Sequence, residues 1–271
     1  NRIPLVAEAF ADLETPLSLY LKLAHVQSNG ERSFLLESVV GGERFGRYSF
    51  IGLPARTLLR ASGFGEAAKT EVVTDGVVVE THAGNPLDFV ADYQKRFKVA
   101  LRQGLPRFCG GLAGYFGYDT VRHIEKKLVH SCPPDDLGMP DILLLQTEEL
   151  AVIDNLSGKL SLIVYADPAQ LDAYAKAHAR LAELKLRLKA PAQAPSIAPC
   201  ASHPAERSFA KDDYLAAVLR AKDLIAAGDF MQVQVGQRIH KKFTASPLSL
   251  YRALRSLNPS PYMYYYNLGD A

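Results

Sequence analysis

The stretch "PLSLYLKL" at Pro16–Leu23 has a near-copy, "PLSLYRAL", at residues 247–254, and each is soon followed by a strand-like run, "SFLLESVV" after the first and "YMYYYNLG" after the second. Thr15 and Ser246 precede the copies, so both begin with a capping side chain, a proline in the first helical position and an apolar anchor, and Asn85-Pro86-Leu87 offers the same opening. Such punctuation restricts the chain to helix-then-strand units. The match is either a duplicated unit or the recurrence of a common helix opening.

The segments between them fill in an α+β pattern. "KTEVVTDGVVVETH" reads as a hairpin about Asp75-Gly76. "PAQLDAYAKAHARLAELKLRLK" sets Leu171, Tyr174, Leu181, Leu184 and Leu188 at helical spacing, with its basic residues at the far end where the helix dipole favours them. A further helix is predicted from Ser208 through "DDYLAAVLRAKDLIAAG", stopped by Gly228, with a strand in "FMQVQVGQRIHKKF". In residues 189–206 prolines recur and no apolar period survives, which is the composition of a linker. The expected division is a domain at 1–188, a linker at 189–206 and the beginning of a second domain at 207–271.

Several function classes find no support. The 31 basic residues are interleaved with 29 acidic ones, leaving no basic stripe for a phosphate backbone, so no nucleic acid is expected. The apolar runs are far shorter than a membrane span; no membrane partner is expected, and the location is expected to be cytoplasmic. Cys109, Cys132 and Cys200 form no C-x-x-C pair and read as reduced, structural thiols. "FCGGLAGYFGYD" lacks the Lys-Ser/Thr ending of a phosphate loop and reads as a strand whose glycines admit close packing. His123, His130 and Cys132 lack metal-ligand spacing, and no nucleophile elbow is present. The neighbouring acids Asp135-Asp136, Glu148-Glu149 and Asp212-Asp213 point apart on any regular element, so none is a catalytic pair.

Two stretches carry more. "FLLESVVGGERFGRYSFIG" runs an apolar strand into Glu37 and Ser38, then through Gly41-Gly42 to Arg47, Tyr48 and Ser49; polar groups on an otherwise apolar strand serve a site or a network. In "NPSPYMYYYN", Pro259 and Pro261 stiffen the backbone that presents Tyr262 and Met263, which lowers the entropy lost on binding.

With "LLES", "GGERFGRYSFIG", "GGLAGYFGYD", "GDFMQVQVGQR" and "SLNPSPYMYYYN" in this order, the chain resembles the anthranilate synthase component I family along its whole length. The resemblance implies a layered α/β/β/α architecture of packed antiparallel or mixed sheets with outer helices, incomplete at the C-terminus because the family is roughly twice as long. It implies conversion of chorismate and glutamine-derived ammonia into anthranilate and pyruvate, with Mg2+ in the full-length enzyme and a glutaminase (glutamine amidotransferase) subunit as partner. The family's metal-binding and catalytic groups lie beyond Ala271, so no catalytic residue, metal ligand or cofactor is expected in this chain. Carried over by motif, a tryptophan feedback site would place Glu37 and Ser38 at the amino acid's polar end and Pro261, Tyr262 and Met263 against the indole, with Arg47 and Tyr48 as pocket wall. The related aminodeoxychorismate synthase and a non-catalytic ligand-sensing or docking module remain the alternatives.

Overall fold

Helix α1 (Pro16–Leu23) begins with a reciprocal capping box: the Thr15 hydroxyl accepts from the Ser18 N–H at 3.0 Å, and the Ser18 hydroxyl accepts from the Thr15 N–H at 3.0 Å. Helix α2 (Pro86–Lys95) is opened by Asn85, whose side-chain oxygen accepts from the Leu87 N–H at 3.0 Å. The remaining helices are α3 (Ala173–Leu188), α4 (Lys211–Ala227) and α5 (Pro247–Leu257). The strands in chain order are β1 (Ile3–Phe10), β2 (Arg32–Glu37), β3 (Tyr48–Ala55), β4 (Thr57–Ser62), β5 (Lys69–Thr74), β6 (Val77–Ala83) and β7 (Gly111–Phe116). They continue with β8 (Ile142–Thr147), β9 (Glu149–Asp154), β10 (Lys159–Ala166), β11 (Ala205–Arg207), β12 (Ile239–Lys241) and β13 (Met263–Asn267).

This computed structural model describes residues 1–25, 32–38, 46–195 and 203–269; the Gly41-Gly42 turn and Cys200 fall outside them. The chain divides into two units, Asn1–Ala194 with Leu254–Ala271, and Pro195–Ala253.

In the first unit a six-stranded sheet, β1-β10-β9-β3-β2-β13, and a five-stranded sheet, β6-β5-β4-β8-β7, are antiparallel throughout. Phe34, Leu150, Val152 and Ile163 of the larger sheet pack on Leu58, Val73, Leu143 and Leu145 of the smaller one. The smaller sheet's other face, with Leu59, Val72, Ile142 and Leu144, is covered by Phe89, Val90 and Tyr93 of α2. Helices α1 and α3 pack on the larger sheet, α1 on β2 and β3, and α3 on β1 and β10. The layers therefore run α/β/β/α, as the family resemblance implied. The Asp75-Gly76 turn joins β5 to β6 with both residues at positive φ, 50° and 81°, the geometry that suits the sheet's right-handed twist. Gly114 of β7 shows why that stretch is glycine-rich: a Cβ there would lie 2.0 Å from the Leu143 carbonyl oxygen.

The acidic neighbours do part company, Glu148 pairing with Arg2 and Glu149 with Arg180. Three local expectations need correction. Helix α3 starts at Ala173, leaving Leu171 and Tyr174 exposed, and buries Ala177, Leu181 and Leu184. In the second unit α4 starts at Lys211 and not at Ser208, because the Ser208 hydroxyl is spent on the backbone of Arg238, accepting from its N–H at 3.0 Å. Gly228 ends α4 in the left-handed conformation, φ 86°, as predicted. The strand expected in "FMQVQVGQRIHKKF" shrinks to β12, which pairs with β11, and Met231 is exposed. Alternation specifies a strand only when a sheet receives its apolar face.

Candidate functional site

The two stretches singled out from the sequence meet at one end of the β2–β13 ladder. Met263 lies opposite Glu37 in the antiparallel register, so both side chains project from the same face, and both are buried. One residue beyond β2, the Ser38 hydroxyl donates to the Pro261 carbonyl oxygen at 2.5 Å. That bond ties the end of β2 to the proline segment that leads into β13. Tyr262 lies between the bonded Pro261 and the buried Met263, but its side chain is 71% exposed.

A carboxylate buried on a strand requires a cation, and here it has one. Arg255, in the last turn of α5, donates from Nε to one Glu37 oxygen and from Nη2 to the other, each at 2.8 Å. The Glu37 side chain is fully buried. The fork of the guanidinium matches the carboxylate and fixes its plane. Glu37 is therefore an anchored charge and not a free acceptor. Further along the same face, the Tyr20 and Ser33 hydroxyls share a hydrogen bond at 2.9 Å, and the Tyr265 ring meets that of Tyr20 edge-on at 5.7 Å. Burial pushes the Tyr265 phenol above its ordinary pKa.

Arg47 and Tyr48 stand at the start of β3, the strand on the other side of β2. The Arg47 guanidinium chelates Asp154, with Nη2 to Oδ2 at 2.8 Å, and lies 5.0 Å from the Tyr48 ring centre. This bond holds the Asp154 carboxyl below the usual aspartate range and Arg47 above its own. Behind them, Ser49 is buried and accepts from the Asn155 amide at 3.1 Å. The structure thus brings Glu37, Ser38, Pro261 and Met263 together, turns the Tyr262 ring outward, and commits Arg47 to Asp154.

Arg255 was missed in the sequence, since nothing local marks it; the one available signal was Glu37 itself, a charge that could not be buried alone. Among the described residues no group of three or more His, Cys, Asp or Glu side chains could hold a metal ion, so no metal ligand is assigned here. None of the described helices is long and apolar enough to cross a membrane.

Residues 48–271 match the family of chorismate binding enzymes. Over its whole length the chain is 52% identical to anthranilate synthase component 1 of Neisseria meningitidis serogroup B, covering 54% of that protein. It is 50% identical to anthranilate synthase component 1 of Pseudomonas putida, again over the whole chain and 54% of the relative. The crystal structure of anthranilate synthase component I from Streptococcus pneumoniae TIGR4 shares the fold, with a TM-score of 0.60 at 24% identity over 93% of this chain and 53% of that one. The chain spans about half the length of the curated relatives it matches. With a family match over most of its length and half of its residues identical to such relatives from end to end, the chain belongs to the chorismate binding enzymes and is similar, within them, to part of anthranilate synthase component 1.

Proposed function

We propose that this chain is the N-terminal part of an anthranilate synthase component I, a cytoplasmic lyase of tryptophan biosynthesis that converts chorismate and glutamine-derived ammonia into anthranilate and pyruvate. The observation that carries this reading is the 52% identity, over the whole chain, to a protein of that name. Residues 1–188 are its N-terminal domain, and 207–271 begin its chorismate-binding domain. The Mg2+ ligands and the acid-base groups of the elimination belong to the other half of the protein, and the ammonia comes from a glutaminase subunit.

This chain contributes the tryptophan feedback site. The ligand's polar end faces Ser38 and the anchored Glu37, and its indole lies against Met263 and Pro261, with Tyr262 free to fold over it. Burying an indole removes roughly 150–250 Å² from water, which at about 25 cal/mol per Å² stabilises by about 4–6 kcal/mol. Association costs at least about 4 kcal/mol. Micromolar binding, near about −8 kcal/mol, therefore depends on the polar end. The chain contains no tryptophan, so the fluorescence of added tryptophan, excited beyond the tyrosine band, reports binding without tryptophan background from the protein. Saturable binding by this chain, lost on replacement of Ser38, supports the site; unchanged binding in that variant overturns it. Supplied with chorismate, Mg2+ and ammonia, the chain alone makes no anthranilate, and the full-length protein does.

A further inference from the structure

A cavity sharing no residue with the Glu37–Met263 junction opens in the first unit beside the end of β8, with a volume of about 440 Å³. That size lies within the range of small-molecule sites, about 300–1,000 Å³. Its walls are aromatic: Tyr93 and Phe97 on the α2 side, Phe108 and Tyr165 on the other. Most of its polar groups are committed. Arg2 is held between Glu148 at 2.6 Å and Asp167 at 3.0 Å, the Tyr93 hydroxyl donates to Gln146 at 2.7 Å, and the Tyr165 hydroxyl donates to the Cys109 thiol at 3.5 Å.

Beside the exposed Gln94 amide, two lining groups are uncommitted and bear on a ligand. The Thr147 hydroxyl is buried with no hydrogen-bond partner, which leaves an unmet cost in the cavity wall. Arg107 is exposed and forms no hydrogen bond or ion pair with any described residue. A single open guanidinium fork beside aromatic walls suits a planar monoanion. The partly exposed Glu148 in the same wall disfavours a dianion such as a phosphate ester. We propose that this cavity binds a small aromatic carboxylate, its ring between Phe97 and Phe108, its carboxylate on Arg107, and a polar atom within reach of Thr147.

Cys109 lines the cavity and Cys132 is exposed elsewhere, so the two thiols provide a probe and a reference. Peptide-resolved alkylation by iodoacetamide is followed in this chain with phenylacetate or the neutral phenylacetamide. Phenylacetate should slow Cys109 alkylation relative to Cys132, and phenylacetamide should need a concentration about tenfold higher or more for the same protection. Arg107→Gln, at an exposed position, should abolish that preference. Thr147→Val should weaken phenylacetate severalfold while leaving thermal stability unchanged or raised, because it removes the unpartnered hydroxyl. Ser38→Ala should leave all of this unchanged, which separates this site from the tryptophan site. Equal protection by acid and amide, no protection at millimolar phenylacetate, or an undiminished preference in Arg107→Gln overturns the proposal.

Discussion

Replacing Arg255 with alanine removes the guanidinium from a carboxylate whose side chain is 0% exposed, while Arg255 itself is 34% exposed. Breaking a buried ion pair by deleting one partner costs about 3–5 kcal/mol, most of it from the charge left behind. The partial exposure of Arg255 puts this pair at the lower end, about 3 kcal/mol. In a unit of this size each kcal/mol shifts Tm by roughly 2–4 °C, so Arg255→Ala should melt about 6–12 °C below the parent. Urea denaturation, monitored by circular dichroism, should show a lower midpoint with an unchanged slope, since the surface exposed on unfolding is the same.

The control is the double variant Glu37→Gln with Arg255→Met, which removes both charges and keeps the volume. It should recover most of the loss, because neutral replacements for a buried pair are often tolerated or stabilising. A loss below about 1 kcal/mol in Arg255→Ala would mean that the pair behaves as an exposed one and that Glu37 is hydrated. A double variant as unstable as the single one would place the cost in packing and not in the unpaired charge. Either result refutes the reasoning.

Ser38→Ala should weaken tryptophan binding about ten- to a hundredfold, the worth of a charge-assisted hydrogen bond, with the uninhibited rate of the full-length enzyme nearly unchanged; inhibition constants measured beside basal rates decide it. Met263→Thr should weaken indole-bearing analogues with or without a carboxylate, since it alters the apolar wall; an effect confined to the carboxylate-bearing analogues would count against that wall. The Arg47 bond depresses the folded-state pKa of Asp154, so its stabilisation is present above the ordinary aspartate value near about 4 and is lost as pH falls through the depressed value. Asp154→Asn should accordingly flatten the acid-unfolding curve below about pH 4, and parallel curves would exclude the linkage. Strand β13 is the edge of the larger sheet, with Tyr262 and Tyr264 exposed, so this chain should self-associate on concentration and Tyr264→Lys should suppress it; a strictly monomeric chain in sedimentation would count against edge pairing.

What the sequence made legible was whatever short-range chemistry decides. Thr15 and Asn85 announce their helices because a cap needs only its own next turn, and Gly228 stops α4 because a left-handed residue is a local requirement. Ser208 misled because its hydroxyl had a competing backbone partner thirty residues away, at Arg238. Glu37 and Ser38 stood out as polar residues on an apolar strand, and Met263 as part of a stiffened aromatic segment. The pairing of these segments came only through family resemblance, and the Glu37–Arg255 bond, spanning 218 residues, came from neither. Spacing along a chain carries no information about a partner so distant in sequence.

The likeness of the two "PLSLY" helices acquires a meaning in the β2–β13 ladder. Their prolines are 231 residues apart, 247 minus 16, while the central pair of the ladder, Leu35 opposite Tyr265, is 230 apart, 265 minus 35. Strands carried by two copies of one helix–strand unit would meet in this way, side by side and antiparallel about a local two-fold axis, with one residue of difference absorbed in the connection. About that axis the pair Glu37–Met263 exchanges with the pair Asn267–Ser33 at the opposite end. The two ends differ in what closes them. At the Ser33 end the Tyr20 hydroxyl takes up the serine and its ring packs against Tyr265, which seals that end with a side chain. At the Glu37 end a charge is held by Arg255 and a serine hydroxyl is spent on the carbonyl of a rigid proline. If the tryptophan site lies where it is proposed, a duplicated unit would carry one ligand-binding end and one sealed counterpart.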